Sequence, residues 1–289
     1  MDILKPNILK PALRKIGLNK PSLLSAGKSH GGKVKPYIKG HVTDGSSTFT
    51  FKVNNADVTV PVDANGNWKW VATTTVTSLY SAFENKTYLD SVTFKNLENC
   101  TNCLRTFSGC SVINNVIIDN SFEKVSAFDY FFNSTGRNKI VTLKNTTISE
   151  ITGGSRFLIG CEDIIGIENC EFKKLNDGTQ MFYNFSGKTL NLSNADFRNL
   201  TTTTNMFSNA TNLENINIKY LSTNMSFGSS FKLTEQSVVN IFNAVAADDI
   251  TLTFHATVYA YIQAQLEIED SPIYTAYWDS DYDFTIASA

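Results

Sequence analysis

Histidine is scarce in this sequence and occurs only at His30, His41 and His255. Hydrolysis by a serine or cysteine nucleophile needs a base and an orienting group held beside the nucleophile. No motif in the sequence brackets a serine or cysteine in that way, and a phosphate-binding loop of the GxxxxGKS or GxxxxGKT type is absent. We therefore expect that the protein is not an enzyme and has no catalytic residues.

The sequence also lacks an apolar run long enough to span a membrane. Prolines and lysines interrupt the N-terminal segment wherever a secretory signal would need a continuous apolar stretch. The five cysteines form no even disulfide framework, and the single CxxC motif, Cys100 and Cys103, has no second copy and no nearby histidine. We interpret the thiols as small packed side chains of a protein assembled in a reducing cytoplasm, and we expect no metal and no cofactor.

Charged residues are few, at 18% of the chain against roughly 25% in a typical globular protein, and they are unevenly placed. Residues 1–39 carry nine Lys or Arg against one acid. Four prolines prevent a long helix in residues 1–36. Apolar residues recur between the lysines, and a solvated tail would not need them, so we predict an extended docking arm over residues 1–36. The predicted docking residues are Ile3, Leu4, Lys5, Ile8, Leu9, Lys10, Leu13, Arg14, Lys15, Ile16 and Leu18.

Two other interpretations of the arm remain open. It could be a solvated basic tail, or it could bind nucleic acid through its positive charge. Nucleic-acid binding is disfavoured because no aromatic residue precedes Tyr37, so no ring is available for a base to stack on.

A repeat is what the sequence has in abundance, and it runs from residue 78 to residue 225. Three landmarks share a period of 24 to 26 residues, which is typical of a stacked repeat architecture. The first is a phenylalanine, at Phe83, Phe107, Phe132, Phe157, Phe182 and Phe207. The second is a pair of apolar residues, at Val92/Phe94, Val116/Ile118, Val141/Leu143, Ile165/Ile167, Leu190/Leu192 and Ile216/Ile218. The third is an asparagine, at Asn96, Asn120, Asn145, Asn169 and Asn194.

The apolar–x–apolar spacing has a period of two, which predicts one short strand in each copy with its apolar residues on one face. A single copy has nothing to bury that face against, so we expect the copies to stack as parallel strands in a β-solenoid of about six repeats. The asparagines fall on the same inward face. We therefore predict that they form a structural ladder of hydrogen-bonded amides, since buried amides must be satisfied.

Segments of different character flank the repeat. Alternating residues at 37–43, 48–53, 57–62 and 68–72, with turns between them, predict a small N-terminal β unit over residues 37–77 whose Trp and Phe side chains form its core. After the solenoid, residues 78–231, the period is lost. Residues 232–289 predict an α/β cap: a helix from the N-cap Thr234 to residue 246, a strand at 250–254, a helix at 258–266 and a strand at 284–287.

The outward strand positions of the repeats contain no aromatic residue, no histidine and no paired carboxylates. We interpret this row as a solvated face. The two acids of this row, Asp119 and Glu168, lie two coils apart, which corresponds to about 10 Å. The row is Thr93/Lys95, Ile117/Asp119, Thr142/Lys144, Gly166/Glu168, Asn191/Ser193 and Asn217/Lys219.

Three stretches, AFENKTYLDSVTF, TFSGCSVINNVII and MFSNATNLENINI, resemble the F–S–G/N–C/A–x–x–L–x–x–I–x–I unit of BspA-type leucine-rich repeats. The resemblance covers about half of the chain, and it implies a leucine-rich-repeat-like solenoid. The stretch LTEQSVVNIFNAV, with ITLTFHATVYAYI after it, resembles the closing segment of such proteins in gut bacteria and their tailed phages. Together these likenesses imply a virion protein similar to the head fibres or capsid decorations of crAss-like tailed bacteriophages.

The function expected on this basis is structural. The arm would dock on a capsid or other virion protein, and the solenoid would adhere to a host-surface glycan or protein. We expect a homo-oligomer at the virion surface, assembled in the bacterial cytoplasm, with neither membrane nor nucleic acid as a partner. A BspA-type bacterial surface adhesin is the alternative, and a polysaccharide-acting enzyme on a β-solenoid is the second alternative.

Overall fold

The computed structural model describes residues 34–289, and the predicted docking residues Ile3 to Leu18 lie outside this range. The described chain is mainly β, with 29% strand and 11% helix, and it contains a β-solenoid of about seven turns with a small helical cap. The predicted fold class is thereby confirmed. The strands are β1 (Tyr37–Val42), β2 (Thr48–Val53), β3 (Ala56–Pro61), β4 (Asn67–Val71), β5 (Leu89–Lys95), β6 (Asn115–Asp119), β7 (Lys139–Lys144), β8 (Cys161–Ile165), β9 (Thr189–Asn191), β10 (Asn215–Asn217), β11 (Met225–Phe227), β12 (Ile250–Phe254) and β13 (Phe284–Ser288). The α-helices are α1 (Glu235–Phe242), α2 (Ala256–Leu266) and α3 (Pro272–Trp278).

The strands of successive repeats lie side by side and run in the same direction. Strands β5, β6, β7 and β8 pair in parallel in that order. Strand β9 pairs in parallel with β10, and β12 lies between β11 and β13 and is parallel to both. Single parallel bridges on a second side of the coil, from Ser78 through Asn102 to Thr202, also link each copy to the next. Backbone polar groups are thus satisfied by the neighbouring coils, as the repeat predicts.

The N-terminal β unit joins this sheet with the opposite strand direction. Strand β1 lies between β4 and β5 and is antiparallel to both, which extends the sheet to the order β4-β1-β5-β6-β7-β8. The hairpin of β2 and β3 packs Phe49 and Phe51 against Trp68 and the first repeat phenylalanine, Phe83, with the Phe51 and Phe83 ring centroids 5.2 Å apart. The aromatic side chains Phe49, Phe51 and Trp68 are therefore core, as predicted.

Glycine at position 40 is required by this packing. Gly40 lies opposite Trp68 in β4 and Val92 in β5. A Cβ atom there would lie 2.3 Å from the Ser91 carbonyl oxygen and 2.6 Å from the Trp68 indole. The missing side chain lets the indole lie across β1 and close the end of the core.

The six landmark phenylalanines are fully buried and form the centre of the column. Ring centroids are 5.2 Å apart for Phe83 and Phe107, 5.5 Å for Phe107 and Phe132, and 5.5 Å for Phe182 and Phe207, all nearly parallel. Burial of one phenylalanine side chain contributes roughly 2–3 kcal/mol, so this stack is a large part of what holds the coils together.

A pair of left-handed residues brackets five of the six landmark phenylalanines. Ser81 and Asn85, two residues before and after Phe83, have φ of 49° and 61°. Between them the chain turns repeatedly, and Phe83 N donates to the Thr106 carbonyl of the next coil at 2.9 Å. Asparagine and glycine tolerate such φ values best. The equivalent pairs are Arg105/Gly109, Tyr130/Ser134, Gln180/Asn184 and Asn205/Asn209. In the fourth repeat the pair Arg156/Gly160 brackets Leu158, so Phe157 lies one position earlier than the other landmarks.

The predicted strand register of the fourth repeat is wrong by one residue. Ile164, not Ile165, lies in register with Val141 and is buried, whereas Ile165 is 51% exposed. Gly166 follows with a φ of 86°, and a Cβ there would lie 2.2 Å from the Leu143 carbonyl oxygen. The outward residue of this copy is therefore Ile165, and Gly166 is buried.

The predicted inward position of the repeated asparagines is also wrong. None of the five side chains is buried. Asn96, Asn120 and Asn145 directly follow β5, β6 and β7 with φ of 57°, 47° and 49°, so they turn the chain out of each strand. A single amide-to-amide hydrogen bond links them within residues 34–289, from Asn120 Nδ2 to Asn96 Oδ1 at 3.0 Å. Asn169 donates to the Gly166 carbonyl and Asn194 to the Glu168 carbonyl.

Buried hydroxyls one residue further along the chain provide the inward polar contacts instead. Ser121 Oγ accepts from the Leu97 backbone N at 2.9 Å, and Thr146 Oγ1 donates to the Ile118 carbonyl at 3.2 Å. Ser121 and Thr146 are 0% and 3% exposed. These hydroxyls satisfy backbone groups of the adjoining coil, which is the role that we predicted for the asparagines.

The C-terminal cap follows its predicted order with two additions. Helix α1 begins at the predicted N-cap, where the Thr234 side chain accepts from Ser237 N, but it ends at Phe242 rather than at residue 246. Strand β12 matches the predicted range, and α2 begins two residues earlier than predicted. The additions are β11 and the short helix α3, which Ser271 caps. No helix within residues 34–289 has the length and apolarity needed to cross a membrane.

Candidate functional site

A surface groove of about 710 Å³ lies on the outer face of the sheet at its N-terminal end. Its floor is formed by outward residues of β4, β1, β5 and β6, and its wall by residues 61–63 after β3. A volume of this size is within the usual range for ligand sites, roughly 300–1,000 Å³. We therefore take this groove as the candidate binding site.

Strand register fixes the order of side chains across the floor. One row runs from Lys69 through Lys39 and Thr93 to Ile117, each lying opposite the next on adjacent strands. The parallel row runs from Asn67 through His41 and Ser91 to Asn115. The floor therefore presents mainly hydroxyl and amide groups, with Lys39 and Lys69 forming a basic end.

The basic end results from two lysines on adjacent strands. Lys39 and Lys69 lie directly opposite each other in the antiparallel pair of β1 and β4, and both are exposed. Lys69 Nζ lies 4.5 Å from the centre of the Tyr37 ring. No ion pair among the described residues includes either lysine.

His41 links three segments at the edge of the groove. Its Nδ1 donates to Asp90 Oδ1 at 2.7 Å and its Nε2 donates to the Asn65 carbonyl at 2.8 Å. Both partners are acceptors only, so both hydrogen bonds are made when the ring is protonated. The hydrogen bond to Asp90 raises the pKa of His41 above its usual 6.5, against a smaller opposing effect of burial.

This arrangement leaves His41 without a free nitrogen to act as a general base. The remaining acid of the groove, Asp63, is also engaged, because the backbone N and side chain of Asn67 and the backbone N of Asn65 donate to it. Hydrogen bonds from Asn67 lower the pKa of Asp63. The groove can thus bind through charge and hydrogen bonds, and within its described lining it offers no acid–base pair.

The two acids on the outward face of the repeats, Asp119 and Glu168, do not form a pair with each other. Asp119 pairs with Lys95 at 2.6 Å and accepts from Asn145 at 3.1 Å. Burial alone would raise the pKa of Asp119, but the hydrogen bonds from Lys95 and Asn145 outweigh it and lower the pKa. Glu168 lies two coils away, in the short 3-10 helix Ile167–Asn169.

The five thiols are free and buried in the column. Cys100 Sγ and Cys103 Sγ lie 3.7 Å apart, and burial raises the pKa of Cys103 well above its usual value. Burial also raises the pKa of Cys110, Cys161 and Cys170 to about 12. The thiols with raised pKa, Cys103, Cys110, Cys161 and Cys170, stay protonated near neutral pH, so they are poor nucleophiles. Across residues 34–289, no three His, Cys, Asp or Glu side chains cluster closely enough to hold a metal ion.

A buried lysine is a feature that the sequence did not predict. Lys139, the first residue of β7, is 1% exposed. Its Nζ donates to the Gly136 carbonyl and lies 5.4 Å from the centre of the Phe132 ring. Burial lowers the pKa of Lys139 to about 8. Its position at the end of a loop gave no sequence signal that the side chain would be enclosed.

The groove itself was also missed, because sequence reasoning counted only the strands of the repeats as the outer face. The structure adds β1 and β4 to that face, and with them Tyr37, Lys39, His41 and Lys69. The predicted docking residues Ile3 to Leu18 lie outside the described residues. Of the predicted asparagines, Asn96, Asn120 and Asn145 directly follow strands. Comparison with protein-family models, with curated proteins and with solved structures finds no match to this chain.

Proposed function

We propose that this chain is a non-enzymatic structural protein of a tailed bacteriophage particle, a head fibre or capsid decoration. The arm, residues 1–36, anchors it on a capsid or other virion protein, and the solenoid is displayed at the virion surface for adhesion. The observation that carries the proposal is a continuous column with a peptide-like basic segment at one end of its sequence.

The column supports a display role for a physical reason. Its core is built from contacts between adjacent coils, such as the stacked rings of Phe83, Phe107 and Phe132. Stability therefore resides inside, and the lateral residues are free to vary without disturbing the stack. The acid and base groups of the groove are engaged in hydrogen bonds, which favours binding over catalysis.

The distribution of charge supports an anchoring role for the arm. Residues 1–33 carry seven Lys or Arg and one acid, whereas residues 34–289 carry 18 Lys or Arg and 26 acids, a net charge of −8. A basic segment with regularly spaced apolar residues suits an acidic partner surface with apolar pockets. The same column would also serve a bacterial surface adhesin, so the location of the protein decides between the two.

The direct test is quantitative mass spectrometry of purified particles from a culture that produces this protein. We expect a fixed number of copies per particle. We also expect the protein and the particles to be recovered in the same fractions of a density gradient. Recovery of the protein in the cell-envelope fraction, with none in the particles, would favour the adhesin.

The anchoring role is tested by deletion of residues 1–34, which should leave a folded, β-rich protein that no longer joins the particle. Two full-length variants separate the contributions: Lys5, Lys10, Arg14 and Lys15 changed to Gln, and Ile3, Leu4, Ile8 and Leu9 changed to Ser. We expect both to reduce incorporation. Normal incorporation of the truncated protein would refute the docking arm.

A further inference from the structure

The groove at the N-terminal end of the outer sheet face carries more positive charge than its surroundings. Its lining contains two lysines, Lys39 and Lys69, and one carboxylate, Asp63, while His41 is paired with Asp90 at the edge of the groove. This local excess of one positive charge contrasts with the net −8 of residues 34–289. A positively charged groove in an otherwise negatively charged protein attracts anionic ligands.

The lysine pair is unfavourable in isolation. Like charges directly opposite each other on adjacent strands reduce sheet stability, and among the described residues neither Lys39 nor Lys69 has a carboxylate partner. A carboxylate placed between the two ammonium groups would remove the repulsion and form two charge-assisted hydrogen bonds. The geometry of this pair therefore fits an anionic group at the basic end of the groove.

The remainder of the floor suits hydroxyl groups. Ser91, Thr93, Asn67 and Asn115 present donors and acceptors in two adjacent rows. Within this floor β1 and β5 are each paired on both sides, so their backbone groups are already hydrogen-bonded. A peptide therefore cannot add a strand to β1 or β5, and the edge strand β4 is already bridged to Val62 at Trp68. A sugar chain needs no strand edge, because its hydroxyl groups bond to side chains.

Stacked bases are also poorly accommodated. The aromatic ring nearest the lysine pair, Tyr37, is covered by Lys69 Nζ at 4.5 Å, and the Trp68 ring is buried beneath Gly40. Binding of single-stranded nucleic acid relies on exposed rings. The described lining therefore favours a saccharide over a nucleic acid.

We propose that this groove binds an acidic polysaccharide, with Lys39 and Lys69 holding a sugar carboxylate and Ser91, Thr93 and Asn115 bonding the hydroxyls of adjoining units. The inference names a ligand class for the adhesion role proposed above and rests on it.

The test is isothermal titration of the full chain with hexagalacturonate at low ionic strength. We expect binding that weakens as salt is added and that falls at least about tenfold, ~1.4 kcal/mol, in the double variant Lys39→Gln, Lys69→Gln. The matched control is Lys52→Gln, Lys124→Gln, which removes two exposed lysines elsewhere and should leave binding unchanged.

Two comparison ligands make the outcome decisive. A neutral hexasaccharide, maltohexaose, should not bind, and hexaglutamate should bind at least about tenfold more weakly than hexagalacturonate. Absence of hexagalacturonate binding, equal loss in both double variants, or stronger binding of hexaglutamate would each overturn the proposal. Saccharide binding by a protein that never enters particles would leave the groove intact and remove the virion role, so the two proposals fail separately.

Discussion

Replacing Lys139 with methionine should stabilise the protein at neutral pH. The lysine side chain is 1% exposed, and no ion pair of residues 34–289 includes it. Its amine relies on the Gly136 carbonyl and the face of the Phe132 ring. Methionine keeps a long, flexible apolar chain and removes the charge, so the core stays filled while the desolvation penalty is lost.

The magnitude follows from the pKa. Burial lowers the pKa of Lys139 from 10.5 to about 8, and the gap between these two values is worth about 3 kcal/mol. Below pH 8 both the folded and the unfolded states hold the proton, and the full penalty is present. Between pH 8 and 10.5 the unfolded state binds more protons, so the contribution of Lys139 to stability rises with pH.

We therefore expect Lys139→Met to raise the free energy of unfolding by up to about 3 kcal/mol at pH 7. The gain should shrink at pH 9 and nearly vanish at pH 10.5. The buried thiols act in the opposite direction, because pKa values of about 12 for Cys110, Cys161 and Cys170 reduce stability above about pH 9 in every variant. The difference between variant and parent therefore cancels the contributions of Cys110 and Cys170, whereas that of Cys161 changes because Lys139 interacts with it through charge.

The assay is urea unfolding of the full reduced chain at four pH values between 7 and 10.5, followed by fluorescence. Lys144→Met is the matched control, since Lys144 ends the same strand but is exposed. It should change stability little at any pH. A Lys139→Met variant that is less stable than the parent at pH 7, or whose advantage is the same at pH 7 and 10, would refute the reasoning.

Three further predictions concern the turns and the N-terminal end. Gly40→Ala should lower the free energy of unfolding by about 1–3 kcal/mol because of overpacking, since its Cβ would meet the Ser91 carbonyl at 2.3 Å; thermal unfolding measures this. Ser134 is exposed and has a φ of 56°. We expect Ser134→Gly to leave the free energy of unfolding unchanged and Ser134→Val to lower it by about 1–2 kcal/mol. Equal stabilities of the two variants would contradict a left-handed backbone at this residue. Because Asp90 raises the pKa of His41, the stability that His41 contributes is complete below pH 6.5 and declines as pH rises through the raised pKa; His41→Gln should therefore reduce the difference in urea midpoint between pH 5.5 and 8.5.

The repeat period predicts the column well because buried phenylalanines and strand pairs must recur wherever coils stack. All six landmark phenylalanines are fully buried, although in the fourth repeat Leu158 takes the position that Phe83 has in the first. The asparagines recur for another reason that period alone does not distinguish, since a left-handed turn favours asparagine as strongly as a buried amide ladder does. Asn96 and Asn120 therefore kept the period while lying outside the core.

The fourth repeat shows a second limit. Its run Ile164, Ile165 and Ile167 is apolar at adjacent positions, so the sequence permits two registers. The left-handed Gly166 decides between them, because only one register places a residue without a Cβ against the Leu143 carbonyl.

The groove was beyond sequence reasoning because it depends on a non-local pairing. Lys39 and Lys69 are brought together by β1 and β4, and Ser91 and Thr93 reach them only because β1 also pairs with β5. Alternation predicts each strand and its faces, but it does not predict which edge of the column the unit joins.

The reversed direction of β1 has a consequence for how this protein can change in length. An added coil between β5 and β10 would meet parallel strands on both sides, as its neighbours do, whereas β1 offers the adjoining coil an antiparallel edge. A whole coil can therefore be added beside β5 only on its β6 side, since β1 closes the other side. Insertion or deletion of one coil would change the length of the column by about 5 Å and leave the N-terminal β unit unchanged.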